Sequence, residues 1–169
     1  MSIQQATYDR TKAVQYANKY WNSANPAFRQ FDDDCTNYVS QCIHAGDLPM
    51  VYSSSKSKGW WYRRRGGLAD TWSFSWAVAH SLFNYLKAGG PTGNTIEVSS
   101  PQQLRAGDVI CYDWEGDGRW NHNAIVTGFD YYGNPLVNAH TYNSQYRDWR
   151  YLNSPAWTEK TKYAFFHIR

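Results

Sequence analysis

The sequence predicts an α+β domain in which helices come first and antiparallel strands follow. In the first half, apolar residues recur at helical spacing. From residue 108 onward, short runs rich in β-branched and aromatic residues alternate with glycine-containing turns. Helices that precede a set of strands are typical of α+β proteins. Because 169 residues is the usual length of one domain, we expect a single domain over residues 1–169.

Three helices are expected. The first covers residues 7–23, and the second covers Cys35–Ala45, where aspartates just before the helix offer an N-cap and Gly46 ends it. The third covers residues 76–87 and stops at a Gly-Gly-Pro run. The first helix carries its apolar stripe at Ala13, Tyr16, Ala17 and Tyr20.

Four strands are expected in the second half of the chain. They cover residues 109–112, His122–Phe129, 135–140 and 163–168. Residues 53–67, by contrast, mix serines, lysines, paired tryptophans, three arginines and two glycines. That composition predicts an exposed loop or lid between the helices.

One cysteine and one histidine stand out by position. Cys35 falls in the first turn of the second helix, and His122 opens a β-branched strand. Backbone N–H groups and the helix dipole favour a thiolate there, and an imidazole can serve as its base. The pair therefore indicates a cysteine hydrolase. The aspartates at 32–34 oppose this effect, since negative charge raises a thiol pKa if they point at it.

Four motifs in order resemble the bacterial "putative amidase" domain, related to the NlpC/P60 and CHAP peptidoglycan hydrolases. The resemblance covers nearly the whole chain and implies a papain-like, NlpC/P60-like fold. It also implies that Cys35 is the nucleophile and His122 the general base and later acid. The motifs are Asp-Cys-Thr-Asn-Tyr-Val-Ser-Gln at 34–41, Leu-Arg-Ala-Gly-Asp-Val-Ile at 104–110 leading to Asp-Trp at 113–114, His-Asn-Ala-Ile-Val-Thr-Gly at 122–128 and Val-Asn-Ala-His-Thr at 137–141.

The third residue of the site has two candidates. Asn138 and His140 lie on the same face of a predicted strand, so that either could hold the His122 ring. The family resemblance favours His140, with Asn138 as the alternative. For the oxyanion, the Cys35 backbone N–H is one expected donor. Gln30 is a candidate for the second, because papain-like enzymes use a side chain upstream of the cysteine.

Aromatic residues suggest where a substrate binds. The chain contains 9 Trp and 14 Tyr, and such rings suit sugar or peptide grooves as well as cores. The exposed setting predicted for Trp60 and Trp61 makes them expected substrate-binding residues together with Trp72. The substrate class implied by the resemblance is a peptide or amide bond of cell-wall peptidoglycan or a related peptide.

The sequence is compatible with two other functions. A non-catalytic wall-binding module of the same fold could use the tryptophans as a platform, although such a binder needs neither Cys35 nor His122. A protein side-chain amidase or deamidase would use the same thioester chemistry on another substrate. The other two cysteines, Cys42 and Cys111, are expected to be free buried thiols, because three cysteines at these spacings indicate no disulfide framework.

Charge and composition limit the kinds of partner that this chain is expected to bind. A net charge of +3 is too mild to indicate nucleic-acid binding but suits approach to an anionic wall. The sequence contains no apolar run of membrane-spanning length and no signal core. Either the chain acts inside the cell, or it is a mature or excised domain. The family is typically exported, so we expect the second, a secreted or envelope-associated protein. We also expect a monomer.

No metal or cofactor is expected. Residues 113–118 imitate the start of a calcium loop, but the twelfth position is Ala124 instead of a bidentate glutamate. A hairpin turn is the expected structure there. Zinc could be bound by His122, His140 and a carboxylate, but the chain has no HExxH motif or closely spaced Cys/His set.

Overall fold

A computed structural model describes residues 7–169 and has the expected order of elements, except for one short pair of strands between the second and third helices. The helices come first, and a six-stranded antiparallel sheet forms most of the second half. The helices are α1 (Arg10–Tyr20), α2 (Cys35–Ala45), α3 (Phe74–Ala77) and α4 (Ala79–Lys87). The strands are β1 (Tyr62–Arg63), β2 (Thr71–Trp72), β3 (Ile96–Val98), β4 (Val109–Asp113), β5 (His122–Phe129), β6 (Pro135–Ala139), β7 (Ser144–Asp148) and β8 (Lys162–His167). The α+β class is confirmed.

The six-stranded sheet has the order β3-β8-β4-β5-β6-β7, and all of its pairs are antiparallel. β1 and β2 form a separate antiparallel pair. β4 and β5 make the predicted hairpin, in which the Asp113 carboxylate accepts hydrogen bonds from the Asp117 and Gly118 backbone N–H groups. Asp113 therefore stabilises the turn that imitates a calcium loop.

The two sides of the sheet bury different clusters, because side chains alternate along a strand. Ile125 and Phe166 pack with Val39, Cys42 and other residues of the helices on one side. The other side carries a second cluster that includes Ala124, Val126, Tyr112 and Tyr151. α2 lies against β5 on the first side. Consequently, Asn123 faces α2, whereas His122 faces the second cluster at the start of the same strand.

Helix boundaries follow local chemistry. α1 begins after Asp9, whose side chain accepts a hydrogen bond from the Lys12 backbone N–H. α2 ends at Gly46 as predicted, and the Gly46 N–H donates to the carbonyls of Cys42 and Ile43. The predicted helix at 76–87 is instead two helices, since Val78 adopts an extended conformation (φ −117°, ψ 124°) between them.

The segment predicted as an exposed loop is only partly exposed. Residues 56–58 and 64–67 are exposed. Trp60, Trp61 and Tyr62 are buried, and Trp60 and Tyr62 belong to the main core. The sequence analysis predicted exposure because polar residues flank these three aromatic residues on both sides. No helix within residues 7–169 is long and apolar enough to cross a membrane.

Candidate active site

Cys35 is the first residue of α2 and lines a cavity. Its side chain is only 2% exposed, yet it reaches a cavity of about 410 Å³. Asp34, the residue before the helix, does not cap the helix with its side chain. The other residues that line this cavity, here called the thiol cavity, are Asp33, Thr36, Ala77, Val78, Ala79, His80, Arg119, Trp120 and Asn121.

The surroundings of Cys35 favour a neutral thiol. Burial and then the nearby Asp33 carboxylate, with its oxygen 3.9 Å from Cys35 Sγ, raise the pKa of the Cys35 thiol to about 11. Hydrogen bonds from the backbone of Asn123 and from Thr36 lower this pKa but do not offset burial. Of the three aspartates before the helix, Asp33 therefore has the unfavourable orientation.

The reactivity of Cys35 should reveal this protonation state. We expect iodoacetamide to label Cys35 before Cys42 and Cys111, which are 0% exposed and have pKa values raised further by burial. Only the thiolate reacts, so the rate should rise about tenfold per pH unit between pH 7 and pH 9. Peptide mass spectrometry measures the labelling of each site. A rate that is already constant at pH 7, or equal labelling of all three cysteines, would contradict this expectation.

His122 lines a second cavity, here called the imidazole cavity, of about 500 Å³. Its ring is 7% exposed, and its Nε2 lies 3.0 Å from the Tyr151 hydroxyl. Burial, followed by the charge of Arg147, lowers the pKa of His122 to about 3. The other residues that line this cavity are Asp33, Trp114, Asn121, Thr141, Tyr142, Arg147, Tyr151, Ser154, Pro155 and Ala156.

The thiol cavity and the imidazole cavity adjoin each other, because Asp33 and Asn121 line both. Cys35 and His122 thus open onto neighbouring parts of one cleft. The hydrogen bonds among residues 7–169 do not include one between these two side chains. The resting site combines a neutral thiol and a neutral imidazole.

Burial of neutral His122 should make the protein sensitive to acid. The unfolded chain binds a proton at this histidine near pH 6.5, whereas the folded ring does so only near pH 3. Stability is therefore highest above pH 6.5 and falls as the pH drops toward 3. Between pH 7 and pH 5, we expect wild type to lose about 2 kcal/mol more unfolding free energy than His122→Gln. Urea unfolding at both pH values measures this, and equal losses would contradict it.

His140 forms its hydrogen bonds with residues other than His122. Its Nδ1 lies 2.8 Å from Asp34 Oδ2, its Nε2 bonds the Tyr20 carbonyl, and its ring stacks on Tyr38 with centroids 4.0 Å apart. His140 therefore contacts the residue that precedes the nucleophile. The structure does not bring His140 and His122 together.

Asp34 receives three hydrogen bonds in this buried network. Its Oδ1 accepts from the Phe31 backbone N–H and from Asn37 Nδ2, in addition to the His140 contact through Oδ2. The Asp34 backbone N–H donates to Thr141 Oγ1 at 2.9 Å. The end of β6 thus fixes the chain that leads into Cys35.

Asn138, the alternative third residue, is also occupied elsewhere. Its Oδ1 accepts from Thr127 Oγ1 and the Tyr146 N–H, and its Nδ2 donates to Asn18. The side chain that forms a hydrogen bond with the His122 ring is Tyr151, which the sequence analysis missed. Tyr151 lies outside regular secondary structure at φ 59°, and no motif marks it.

The remaining sequence-predicted residues lie away from the two cavities. Gln30 is exposed and does not line either cavity. Trp60 is 0% exposed and donates to Ser40 Oγ, while Trp61 is 3% exposed and donates to the Lys58 carbonyl. The expectation that these rings border the cleft is corrected, because they pack in the protein interior. Trp72 is half-buried and contacts Lys56 and Arg29.

Asn123 is a further residue that the sequence analysis missed. Its Oδ1 accepts from Thr36 Oγ1 at 2.7 Å, and its Nδ2 lies 3.1 Å from Cys111 Sγ. Strand periodicity could have found it, since the residue after His122 must face the opposite side, where α2 packs. Within residues 7–169, no group of three His, Cys, Asp or Glu side chains could hold a metal ion.

The fold and the cleft define an α+β protein with a buried thiol and a buried imidazole on adjoining cavities. The chain belongs to the family described as "putative amidase domain", which matches residues 7–166 and points to an amidase, a class of hydrolase. It is 50% identical over 161 residues to "Uncharacterized protein YhbB" of Bacillus subtilis (strain 168), covering 95% of this chain and 50% of that protein. It is 32% identical over 129 residues to "Uncharacterized protein YjcM" of the same strain, covering 71% of this chain and 28% of that protein.

The chain thus spans about half, or less, of the length of these relatives. No solved structure matches the chain significantly.

Proposed function

We propose that this protein is a cysteine-dependent amidase that acts through a thioester at Cys35. The observation that carries the proposal is the cleft in which the thiol cavity and the imidazole cavity share Asp33 and Asn121. A thiol at a helix N-terminus, with a histidine in the adjoining cavity, has the parts that nucleophilic amide cleavage needs. Family membership supplies the reaction class.

The hydrogen bond to Tyr151 suggests which nitrogen of His122 is the base. If the Tyr151 hydroxyl accepts a hydrogen bond from the Nε2–H group, Nδ1 keeps its lone pair and can accept the thiol proton. Cys35 Sγ then attacks the amide carbonyl while its proton passes to Nδ1. His122 gives that proton to the leaving nitrogen as the C–N bond breaks. Water, deprotonated by His122, cleaves the thioester to a carboxylic acid and restores the thiol.

The N-terminus of α2 is suited to stabilise the negative charge of the oxyanion. The Cys35 backbone N–H lies in the first turn, where N–H groups have no partner within the helix. The positive end of the helix dipole favours the developing negative charge. Because of the four sequence motifs, we also propose that the protein has a papain-like architecture and is related to the NlpC/P60 and CHAP enzymes.

Peptidoglycan peptides are the proposed substrate. The net charge of +3 suits approach to an anionic wall, and the motif resemblance points to a secreted or envelope-associated enzyme. We propose that it acts as a monomer. A wall-binding module without catalysis is less well supported, since burial of Trp60 and Trp61 removes most of the platform it would use.

The test is to incubate the protein with peptidoglycan fragments and with synthetic peptides, and to quench the reaction with acid. Intact-mass spectrometry should detect an acyl adduct, which peptide mapping should assign to Cys35, and free amine should accumulate. Cys42 and Cys111 serve as internal controls. Binding without any product would favour the wall-binding module. Ammonia as the only released amine would favour a side-chain deamidase.

Residues that position the catalytic pair should matter more than their neighbour on β6. Tyr151→Phe removes the hydroxyl group that forms a hydrogen bond with His122, and His140→Ala removes the imidazole ring that contacts the Asp34 carboxylate. We expect each change to lower kcat by about tenfold or more with KM little changed, because orientation is lost and the thiol remains. Asn138→Ala should have the smaller effect. Steady-state kinetics on folded protein measures kcat and KM of the three variants. If Asn138→Ala lowered kcat more than His140→Ala, the positioning role would belong to Asn138 instead of His140.

A further inference from the structure

Arg147, on β7, presents an unmatched positive charge to the imidazole cavity. Its Nη1 donates to Ser144 Oγ at 3.2 Å and its Nη2 to Asn153 Oδ1 at 2.9 Å, so both of these partners are neutral. Its guanidinium lies 3.9 Å from the centre of the Tyr151 ring. The Nε atom is buried without a hydrogen bond, and Arg147 forms no ion pair within residues 7–169. The adjacent Asp148 pairs with Arg150 instead.

A guanidinium whose hydrogen-bond partners are neutral has no counter-charge, and a carboxylate is the group best suited to supply one. Nη1 and Nη2 each carry two N–H groups, and one hydrogen bond is assigned to each of these nitrogens. The planar guanidinium matches the two oxygens of a carboxylate, and such charge-assisted pairs are stronger than neutral hydrogen bonds. The side of the imidazole cavity that Arg147 lines is therefore suited to an organic anion.

The proposed mechanism, on which this inference rests, fixes which part of the substrate enters the imidazole cavity. His122 protonates the leaving nitrogen, so the leaving group must lie on the His122 side of the scissile bond. Cys35 lines the thiol cavity, which accordingly takes the acyl part. The imidazole cavity, at about 500 Å³, has the size of a small-molecule site and can hold a short peptide fragment.

We propose that Arg147 binds a carboxylate of the leaving group. The substrate is then an amide whose nitrogen belongs to an amino acid or short peptide with a free carboxylate near that nitrogen. Asp33, at the junction of the two cavities, reinforces this polarity, because it repels an anion from the thiol side. Arg147 and Asp33 are the only charged side chains among the described residues that line the imidazole cavity.

Binding of such a leaving group would also affect His122. The charge of Arg147 contributes to the lowered pKa of His122, after burial. A carboxylate paired with Arg147 offsets that charge and makes His122 a stronger base. The leaving group would thereby help to activate the residue that protonates it.

The test measures binding, so that it does not depend on turnover. Cys35→Ala protein is incubated with a library of N-acetylated tripeptides that end in a free carboxylate, and with the same peptides as C-terminal carboxamides. Retained peptides are identified by mass spectrometry. We expect at least tenfold selection of acids over carboxamides, and loss of that selection in Cys35→Ala/Arg147→Met. The matched control is Cys35→Ala/Arg150→Met, which removes the same charge from an exposed residue of the neighbouring turn.

The outcomes separate the two proposals. Equal retention of acids and carboxamides by Cys35→Ala, retention of neither, or the same loss of selection in both arginine variants would overturn the carboxylate site. If Arg147→Met does not fold, Arg147→Lys replaces it and should keep part of the selection, since it retains the charge without the planar fork. An acyl adduct at Cys35 of wild type, measured as above, would leave the amidase proposal standing in every case.

Discussion

Cys35→Ala should lower kcat by at least about 1,000-fold while the protein stays folded. Without the sulfur, no thioester can form, and the remaining groups of the cleft offer only binding and polar stabilisation of the transition state. The side chain is small and lies at the first turn of α2, so its loss leaves the core around Tyr38 and Val39 in place. Release of amine from a cleaved peptide is the measurement, with circular dichroism to verify folding.

Cys42→Ala is the matched control for this change. Cys42 lies on the same helix and is fully buried in the core, away from both cavities. Its replacement should cost some stability but leave kcat of the folded protein near that of wild type. Turnover by Cys35→Ala at the wild-type rate would remove the thioester mechanism.

Trp60→Ala should reduce the free energy of unfolding by about 3–5 kcal/mol, the range for truncation of a core aromatic residue. The ring is completely buried, lies 4.9 Å from the Trp76 ring and donates its Nε1–H to Ser40 Oγ at 3.0 Å. Truncation leaves a cavity between α2 and α3 and removes one of the two hydrogen bonds of the Ser40 hydroxyl, which still donates to the Trp76 carbonyl. Urea denaturation followed by circular dichroism measures the loss.

Trp72→Ala is the comparison for that result. Trp72 is half-buried, and cations lie over its face, with Lys56 Nζ 4.7 Å from the ring centre. We expect a loss of about 1–2 kcal/mol, because part of the ring is already in contact with water. If Trp60→Ala were as stable as wild type and impaired only substrate use, the ring would belong to a binding surface after all.

Regular patterns in the sequence predicted the framework of the protein. The apolar stripe of α1, the bounds of α2 and the β-branched strand at His122–Phe129 all follow from local periodicity, and the structure confirms them. β7 was missed because Ser144–Asp148 is polar and lies at the edge of the sheet, where burial imposes little pattern.

The details of the site depend on contacts that local sequence does not encode. Tyr151 reaches His122 only because segments 29 residues apart converge at the cleft. Asp33 is close to Cys35 in the sequence, but the side of Cys35 to which its carboxylate points depends on the folded backbone before α2. His140 was predicted inside the strand at 135–140 and lies one residue after the end of β6, and its partner Asp34 is 106 residues away. Strand periodicity gives the face on which a side chain lies and does not give the residue across from it.

The contact between Asp34 and the end of β6 has a consequence for the order in which the protein matures. Asp34 bonds to His140 and Thr141, so the chain before Cys35 acquires its final shape only after residues 140–141 have joined it. Contacts of such long sequence separation form late and slowly in folding, because a long loop must close first. During synthesis on the ribosome, Asp34 emerges 106 residues before His140, which helps to fix the start of α2. The nascent chain therefore carries Cys35 as an ordinary thiol, and the cleft exists only once β6 has been added to the sheet.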